Sequence, residues 1–511
     1  LIELNTLVTE KIGVMYDSTS NLLGLPIDQV RFLFHLLCIF PLGLINYLFK
    51  SANVRMIYGF STGLYLMYSM YGPSFWHLLV DSLFTHFFIV IYGRKQSAFW
   101  VLLFTLAHIS FVHIERMFDD YGGWVLDFSG IYMMSVVKFS SFAFSYEDGG
   151  KPDSEIKNGY MKEKKIVNPP TFLESMSFFF HFSSCIIGPS IEFADYRRFI
   201  YLEEEYENIP IGKVCLATLR KLFMWLVYSA AYLGGSILFP IPYLLSQEFY
   251  SQNFFYKITC LYITTLILRT KYYTGWTLSQ TGMTMSGLTY KKTKTETGVV
   301  ETFDKAICFD FWGVEIEPSP KKKITKWNIT VHHWLKYSVF LRLKNKEDYL
   351  KFLNSISPKL KFMAGASPEL ITFMVSAFWH GFYPNYYIFF FFCFIVEQIS
   401  ALIASKTKYF DYIDTLWGKD PLSKLLYLFL GGLHLNFLNF CGMFFSLTTF
   451  DKGSLLVINT NYGLFPVLIL VMWIVSINLP KRRDSKGVKE EKPKVKETLI
   501  EDQANKENKK D

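Results

Sequence analysis

Long apolar runs separated by short polar links make up most of the chain. They lie at 31–49, 56–71, 74–92, 97–113, 124–146, 171–191, 215–240, 254–270, 424–450 and 461–479. Many approach the roughly 20 residues that a helix needs to cross a bilayer, and backbone groups in lipid must bond within their own segment. The pattern therefore predicts an all-α polytopic membrane protein with about ten to eleven transmembrane helices, plus re-entrant or short buried helices.

Several of these runs carry polar or charged side chains near the middle of the span. These are His77, Asp81, His86, His108, His113, Asp127 and Lys138. Such residues are costly in lipid, so the helices that carry them should face protein or an aqueous chamber. For each residue taken alone, an interhelical hydrogen bond is the simplest interpretation.

The segment 269–290 (RTKYYTGWTLSQTGMTMSGLTY) is too polar for a span and too aromatic for an ordinary loop. Irregular backbone at membrane depth is tolerated only where protein shields it from lipid. The composition favours a re-entrant or cavity-lining element.

Composition agrees with a membrane protein, since 51% of the residues are hydrophobic and 18% are aromatic. Residues 1–30 are expected to form an interfacial lead-in and residues 31–480 the membrane-embedded domain. The tail 481–511 is charged and without aromatic residues, which predicts disorder. Its basic cluster Lys481, Arg482 and Arg483 directly follows the last apolar run. By the positive-inside rule this cluster places the C-terminus in the cytosol.

The apolar stretch between Glu369 and Glu397 carries one acidic, basic or imidazole side chain, that of His380. Ser367 and Pro368 predict the start of a helix, so His380 would lie roughly 18 Å along it, near the middle of a bilayer. An imidazole at that depth is either functional or a satisfied core residue.

Asn328 has three interpretations. It could cap the short apolar helix that follows, form part of a glycosylation sequon, or act as a hydrogen-bonding group in an active site. His332 and His333 raise the possibility of a metal, but adjacent histidines on a helix point in different directions and no acid or cysteine completes a ligand set. The seven cysteines are scattered, and no phosphate-binding loop or serine nucleophile motif is present.

Two stretches carry a resemblance to a known family. WNITVHHWL (327–335) and SAFWHGFYPNYY (376–387) resemble the paired signature of the membrane-bound O-acyltransferases, especially the fungal and plant lysophospholipid acyltransferases. Supporting similarity lies at 21–32, 122–149, 186–199 and 269–287. The residues ITKWN stand where the sterol and diacylglycerol branches carry a different motif, which favours the lysophospholipid branch.

The resemblance implies a multi-pass enzyme of the endoplasmic reticulum membrane with helices around a catalytic chamber. It would move an acyl chain from acyl-CoA to the free glycerol hydroxyl of a lysophospholipid, with His380 and Asn328 as catalytic residues. Neighbouring side chains are expected to bind substrate: Trp327, Ser376, Trp379, Tyr272 and Tyr273. Acyl-CoA is a co-substrate, and no cofactor, metal or nucleic acid is expected. The sequence indicates no oligomeric state.

The expected chemistry suits these residues. A thioester is already activated, so the reaction requires only a base for the acceptor hydroxyl, and His380 can supply it. Asn328 would orient the hydroxyl or stabilise the oxyanion. The alternatives are a family member with a protein or neutral-lipid acceptor, and a polytopic transporter.

The basic cluster after Pro480 generates a topology prediction. A tag fused after Asp511 should be removed when protease is added to sealed microsomes, because positive residues beside a span stay in the cytosol. Immunoblotting against the tag and against a lumenal marker measures this. A tag protected to the same extent as the lumenal marker contradicts the orientation.

Overall fold

The computed structural model describes residues 2–123, 126–295, 298–344, 367–460 and 464–480, with side chains described from residue 11 onward. Helices form nearly all of the described structure. The one sheet within these ranges is an antiparallel hairpin of β1 (Lys291–Thr295) and β2 (Gly298–Thr302), in which Lys291 pairs with Thr302.

The helices before the hairpin are, in chain order, α1 Ile2–Leu23, α2 Ile27–Asn46, α3 Ala52–Tyr71, α4 Trp76–Tyr92, α5 Ser97–Asp119, α6 Phe128–Asp148, α7 Gly159–Lys164, α8 Phe172–Phe180, α9 Phe193–Tyr201, α10 Ile211–Leu238, α11 Gln247–Ser251 and α12 Phe254–Met285. Those after it are α13 Phe311–Glu315, α14 Pro320–Lys326, α15 Ile329–Trp334, α16 Leu341–Lys344, α17 Pro368–His380, α18 Pro384–Lys406, α19 Tyr409–Leu416, α20 Pro421–Leu447, α21 Phe450–Asn459 and α22 Leu464–Asn478.

Six helical stretches of the described residues are long and apolar enough to cross a membrane. They are 27–46, 52–92, 97–119, 211–245, 384–406 and 421–447, and a seventh results if α21 and α22 form one broken span. The helical membrane architecture is confirmed, while this count is lower than the expected ten to eleven. One reason is that the runs at 56–71 and 74–92 join through a single 3₁₀ turn into one 41-residue stretch.

The predicted interhelical bonds of the polar mid-span residues are present. The His108 ring bridges α4 and α5, since its Nδ1 lies 2.6 Å from Asp81 Oδ1 and its Nε2 lies 2.9 Å from His77 Nδ1. Tyr132 of α6 donates to the other Asp81 oxygen, and His86 Nδ1 lies 2.9 Å from Ser175 Oγ. Polar contacts of this kind hold α4, α5, α6 and α8 together where water is excluded.

The apolar run at 171–191 forms a helix over only its first half. A capping box between Thr171 and Glu174 starts α8, which ends at Phe180. The following residues have no regular structure, although His181, Phe182 and Ser183 are completely buried. Their backbone groups therefore need partners inside the protein.

Lys138 of α6 supplies hydrogen bonds to the residues on both sides of this break. Its buried ammonium group donates to the carbonyls of Phe178, Phe179 and Ser184 and to the Ser184 hydroxyl, at 3.1–3.3 Å. Two of these carbonyls belong to the last turn of α8, where a positive charge also interacts favourably with the negative end of the helix dipole. A lysine in an apolar helix thus holds the break after α8 in place.

The segment 269–290 does not form the expected re-entrant element, and the alternative of a cavity-lining element stays a prediction. Residues up to Met285 continue α12 as an unbroken helix, and the loop begins only at Ser286. Its polar side chains are tolerated because this half of α12 is buried in protein. Gly282 and Gly43 allow the close approach of α2 and α12: a Cβ on Gly282 would lie 2.7 Å from Ile39, and one on Gly43 would lie 3.0 Å from the Ser286 nitrogen.

The expected domain boundaries stay a prediction. Residue 30 falls inside α2, the first candidate span, whereas the break between helices lies earlier, at residues 24–26. The expected disordered tail, 481–511, lies outside the described residues.

Lys138→Met should destabilise the protein by roughly 2 kcal/mol or more, because it leaves buried carbonyls without donors while nearly keeping side-chain volume. Thermal unfolding in detergent, followed by intrinsic fluorescence, measures the loss. Lys452→Met, at an exposed position of α21, is the matched control and should leave the melting temperature unchanged. Equal melting temperatures for the two variants would contradict the role of Lys138.

Candidate active site

His380 is the last residue of α17. As predicted, Ser367 caps the start of this helix, accepting from the Leu370 nitrogen at 3.4 Å, and Pro368 occupies its first turn. The helix ends at Gly381, whose φ of 122° is open to glycine but strained for other residues. Cap and glycine together place His380 at a defined helix terminus.

The hydrogen bonding of His380 defines its tautomer. Its Nδ1 lies 2.7 Å from the Ser376 carbonyl oxygen, which can only accept, so Nδ1 carries the hydrogen. In the neutral ring Nε2 then holds the free lone pair, and it makes no hydrogen bond to a described residue. The geometry leaves His380 ready to accept a proton at Nε2.

Aromatic rings enclose this imidazole. The ring centroids of Phe390, Phe445 and Tyr386 lie 4.9, 5.0 and 6.1 Å from that of His380. Tyr386 and Phe445 also stack on each other at 4.7 Å. The surroundings of the proposed base are therefore apolar, which suits a lipid substrate.

Asn328 occupies the cap position before α15, but its side chain makes no capping bond. The capping interpretation is wrong for the side chain; only the backbone carbonyl takes part, accepting from the His332 nitrogen at 2.9 Å. The physical reason is the backbone conformation, φ 45° and ψ 56°, in the left-handed region rather than the extended region usual for a capping residue. Asparagine tolerates this conformation better than most residues.

The helix that follows Asn328 is irregular. After α15 the chain widens into a π-helix at Leu335–Phe340 before α16. Such widened turns are frequent at functional sites. The sequence predicted a single short helix here and gave no sign of the change in pitch.

α6 holds the two signature segments together. The Trp334 indole donates to the Ser140 hydroxyl at 2.9 Å, and the Trp379 indole donates to the Met133 carbonyl at 2.8 Å. The two acceptors lie about two helical turns apart on α6. The tryptophan rings also contact each other, with centroids 5.5 Å apart. The helix that begins after Asn328 is thus packed against the helix that ends in His380.

Two of the expected substrate-binding residues are buried in this packing. Trp379 is 2% exposed and Ser376 is 3% exposed, and Ser376 serves through its carbonyl as the acceptor for His380. Their observed contacts are structural, and a contact with substrate stays a prediction.

Trp327 lies in an aromatic cluster with α12, its centroid 4.9 Å from that of Trp276, 5.5 Å from Tyr272 and 5.8 Å from Tyr273. Tyr273 is fully buried and donates to Glu315 at 2.8 Å. Glu315 in turn forms a buried bidentate ion pair with Arg269. The cluster holds the backbone just before Asn328 against α12.

The sequence did not predict a second group of polar residues, although one member, His333, was considered there as a metal ligand. A cavity beside α6 and the π-helix is lined by residues that include Tyr160, Glu192, His333, Tyr337 and Arg342. Tyr160 and Tyr337 stack at 4.1 Å, and Tyr160 donates to Glu192 at 2.9 Å. The contributing loop, 147–170, is far away in sequence, so no local pattern joins it to the Asn328 segment.

Charges beside this cavity are paired. Burial opposes the positive charge of Lys164, but the carboxylates of Asp195 and Glu163 outweigh it and raise the pKa of Lys164. Burial likewise opposes the negative charge of Asp195, and Lys164, Lys305 and Arg198 outweigh it and lower the pKa of Asp195. The pairs stabilise the fold of the loop at neutral pH.

The sequence similarities agree with this arrangement. A model of the membrane-bound O-acyltransferase family matches residues 88–432, which include Asn328 and His380. The chain belongs to the membrane-bound O-acyltransferase family. The resemblance stated from the two signature stretches is therefore confirmed.

Relatives within this family are similar over most of the chain. The lysophospholipid acyltransferase of Schizosaccharomyces pombe is 27% identical over 386 residues, covering 74% of this chain and 72% of the relative. That of Saccharomyces cerevisiae is 26% identical, covering 66% of this chain and 56% of the relative. Lysophospholipid acyltransferase 2 of Arabidopsis thaliana is 26% identical, covering 73% of this chain and 78% of the relative.

Substitutions at Asn328 distinguish the effect of its backbone conformation on stability from the effect of its side-chain amide on acyl transfer. Asn328→Gly should fold at least as well as the wild type, because glycine adopts φ 45° without strain, whereas Asn328→Ala should lose about 1 kcal/mol of stability. Both variants should lose most acyl transfer if the amide acts in the site. Melting temperature and turnover on the same preparations measure this. A stable and fully active Asn328→Gly variant would contradict the assignment.

Proposed function

We propose that this protein is an acyl-CoA-dependent lysophospholipid O-acyltransferase in which His380 is the general base. The observation that carries the proposal is the Nδ1–H bond from His380 to Ser376, which leaves Nε2 as a base inside an aromatic enclosure. Membership of the membrane-bound O-acyltransferase family and the names of the relatives support acyl transfer to a lysophospholipid.

The reaction needs one proton acceptor and no covalent enzyme intermediate. His380 Nε2 takes the proton from the free glycerol hydroxyl as its oxygen attacks the thioester carbonyl of acyl-CoA. The tetrahedral intermediate collapses, the carbon–sulfur bond breaks, and the proton passes from His380 to the sulfur. The products are a diacyl phospholipid and CoA with a free thiol. A positioned general base contributes about 10²–10⁴ in rate to such a step.

Asn328 acts on the same centre through its side-chain amide. Because this amide makes no capping bond, it is available to orient the acceptor hydroxyl or to donate to the developing oxyanion. Its strained backbone supports a role in the site, since left-handed non-glycine residues concentrate at functional positions.

The cellular setting follows from the substrates. Acyl-CoA is a water-soluble donor and the lysophospholipid enters from the bilayer, so the site must be open to both phases. We place the enzyme in the endoplasmic reticulum membrane, as the family resemblance implies, and its C-terminus in the cytosol, as the basic cluster after Pro480 indicates. Trp327, Tyr272 and the aromatic enclosure of His380 are proposed to contact the acyl chain.

The function is tested by incubating purified protein in detergent or nanodiscs with acyl-CoA and a panel of lysophospholipids. Lipid products are identified by mass spectrometry. Diacylglycerol, a sterol and an acceptor peptide serve as competing acceptors. Acylation of one of these in preference to every lysophospholipid would overturn the proposed substrate class, and the absence of any acylated product would overturn the enzymatic function.

His380→Ala should reduce turnover roughly 10²-fold or more while acyl-CoA binding persists. His380→Gln should be similarly inactive, because an amide forms hydrogen bonds but does not accept a proton at neutral pH.

His434→Gln is the matched control for both His380 variants. The His434 Nδ1 also bonds a backbone carbonyl, that of Pro318 at 2.8 Å, but in a different part of the fold. The His434→Gln variant should retain wild-type turnover. A folded His380→Gln variant with wild-type turnover would exclude the base role.

A further inference from the structure

His113 of α5 lies against the end of the helix that carries His380. It is 4% exposed, and its Nε2 lies 3.0 Å from the carbonyl oxygen of Trp379, the residue before His380. A carbonyl only accepts, so Nε2 of His113 carries the hydrogen. A side chain from a distant helix therefore donates to the backbone beside the proposed base.

The Trp379 carbonyl has few other possible donors. The last four carbonyls of a helix lack intrahelical partners. At the end of α17, the Gly381 nitrogen donates to the carbonyls of Ala377 and Phe378, at 3.2 and 3.1 Å. The next carbonyl along the chain is that of Trp379, and it accepts a hydrogen bond from Nε2 of His113. Without this bond a buried acceptor would be unpaired, which favours unwinding of the last turn.

The ring of His113 also lies close to the turn that ends α17. A Cβ built on Gly381 would lie 3.4 Å from Cγ and Nδ1 of His113. With the Trp379 indole bonded to the Met133 carbonyl of α6, the residue before His380 is held from two sides. His380 follows directly, so the position of its Nε2 depends on these two contacts.

We propose that His113 is a positioning residue for His380: its hydrogen bond to the Trp379 carbonyl holds the last turn of α17 in the conformation that directs Nε2 of His380 at the acceptor hydroxyl. The inference rests on the proposed role of His380 as base. A small displacement of a base costs far more in turnover than in substrate binding, because alignment matters most in the transition state.

The test uses the full-length protein in nanodiscs with acyl-CoA and the preferred lysophospholipid. His113→Phe keeps a ring but removes the donor, and should lower kcat roughly tenfold or more with KM for both substrates within about twofold. His113→Gln keeps a donor and should recover most of that loss. His86→Phe removes another buried histidine, one bonded to Ser175, and should leave kcat unchanged.

A double variant shows whether His113 acts through His380. In the His380→Ala background, His113→Phe should cause no further loss of the residual rate, since the group it positions is absent. A further loss equal to that seen in the wild type would overturn the inference, as would wild-type kcat in His113→Phe. A loss of kcat in His113→Phe that follows melting temperature and is not recovered by Gln would also overturn it, because that is the result of a purely structural role.

The experiment separates this inference from the proposed function. If wild-type protein acylates a lysophospholipid, His380→Ala abolishes this and His113→Phe keeps full kcat, then only the role of His113 fails. If wild-type protein acylates no lysophospholipid while the folded protein binds acyl-CoA, the proposed function itself fails.

Discussion

The structure depends on how buried carbonyl groups find hydrogen-bond donors where water is absent. Each unpaired backbone group in an apolar interior costs free energy comparable to a lost hydrogen bond. Here long polar side chains meet that requirement: Lys138 pairs the end of α8, Arg55 donates to the Phe199 carbonyl, and Lys323 donates to the Val314 carbonyl. The chain can therefore leave helical geometry inside the protein, which is what a site at a helix terminus requires.

The same requirement links stability and catalysis. The last carbonyls of a helix that ends inside the protein lack partners within that helix. The helix α17 ends in this way at His380, the proposed base. The Gly381 nitrogen satisfies two of these carbonyls, and His113 of α5 donates to a third, that of Trp379. The Trp379 indole in turn donates to the Met133 carbonyl and so attaches this end to α6. Helices without a catalytic side chain thus determine how accurately the base is held, and their polar residues belong to the active site in an energetic sense.

Local sequence signals were sufficient for part of this description. Ser367 and Pro368 predicted the start of α17, and the mid-span polar residues correctly predicted interhelical bonding. The left-handed backbone of Asn328 was not predicted, because no pattern in the neighbouring residues indicates it. The polar half of α12 was expected to form a re-entrant or cavity-lining element, because it is too polar to span lipid. Composition does not show that it continues the preceding helix inside the protein. The family resemblance, in contrast, came from two short stretches that the fold brings together.

One consequence concerns the length of α6. Because this helix supports the tryptophans of both signature segments, the offset between those segments is set by its rise and twist between Met133 and Ser140. Removing one residue there would shorten the interval by about 1.5 Å and rotate one support by about 100° relative to the other. The interval therefore acts as a molecular ruler. Besides the side chains of Lys138 and Ser140, the number of residues in this interval is therefore constrained.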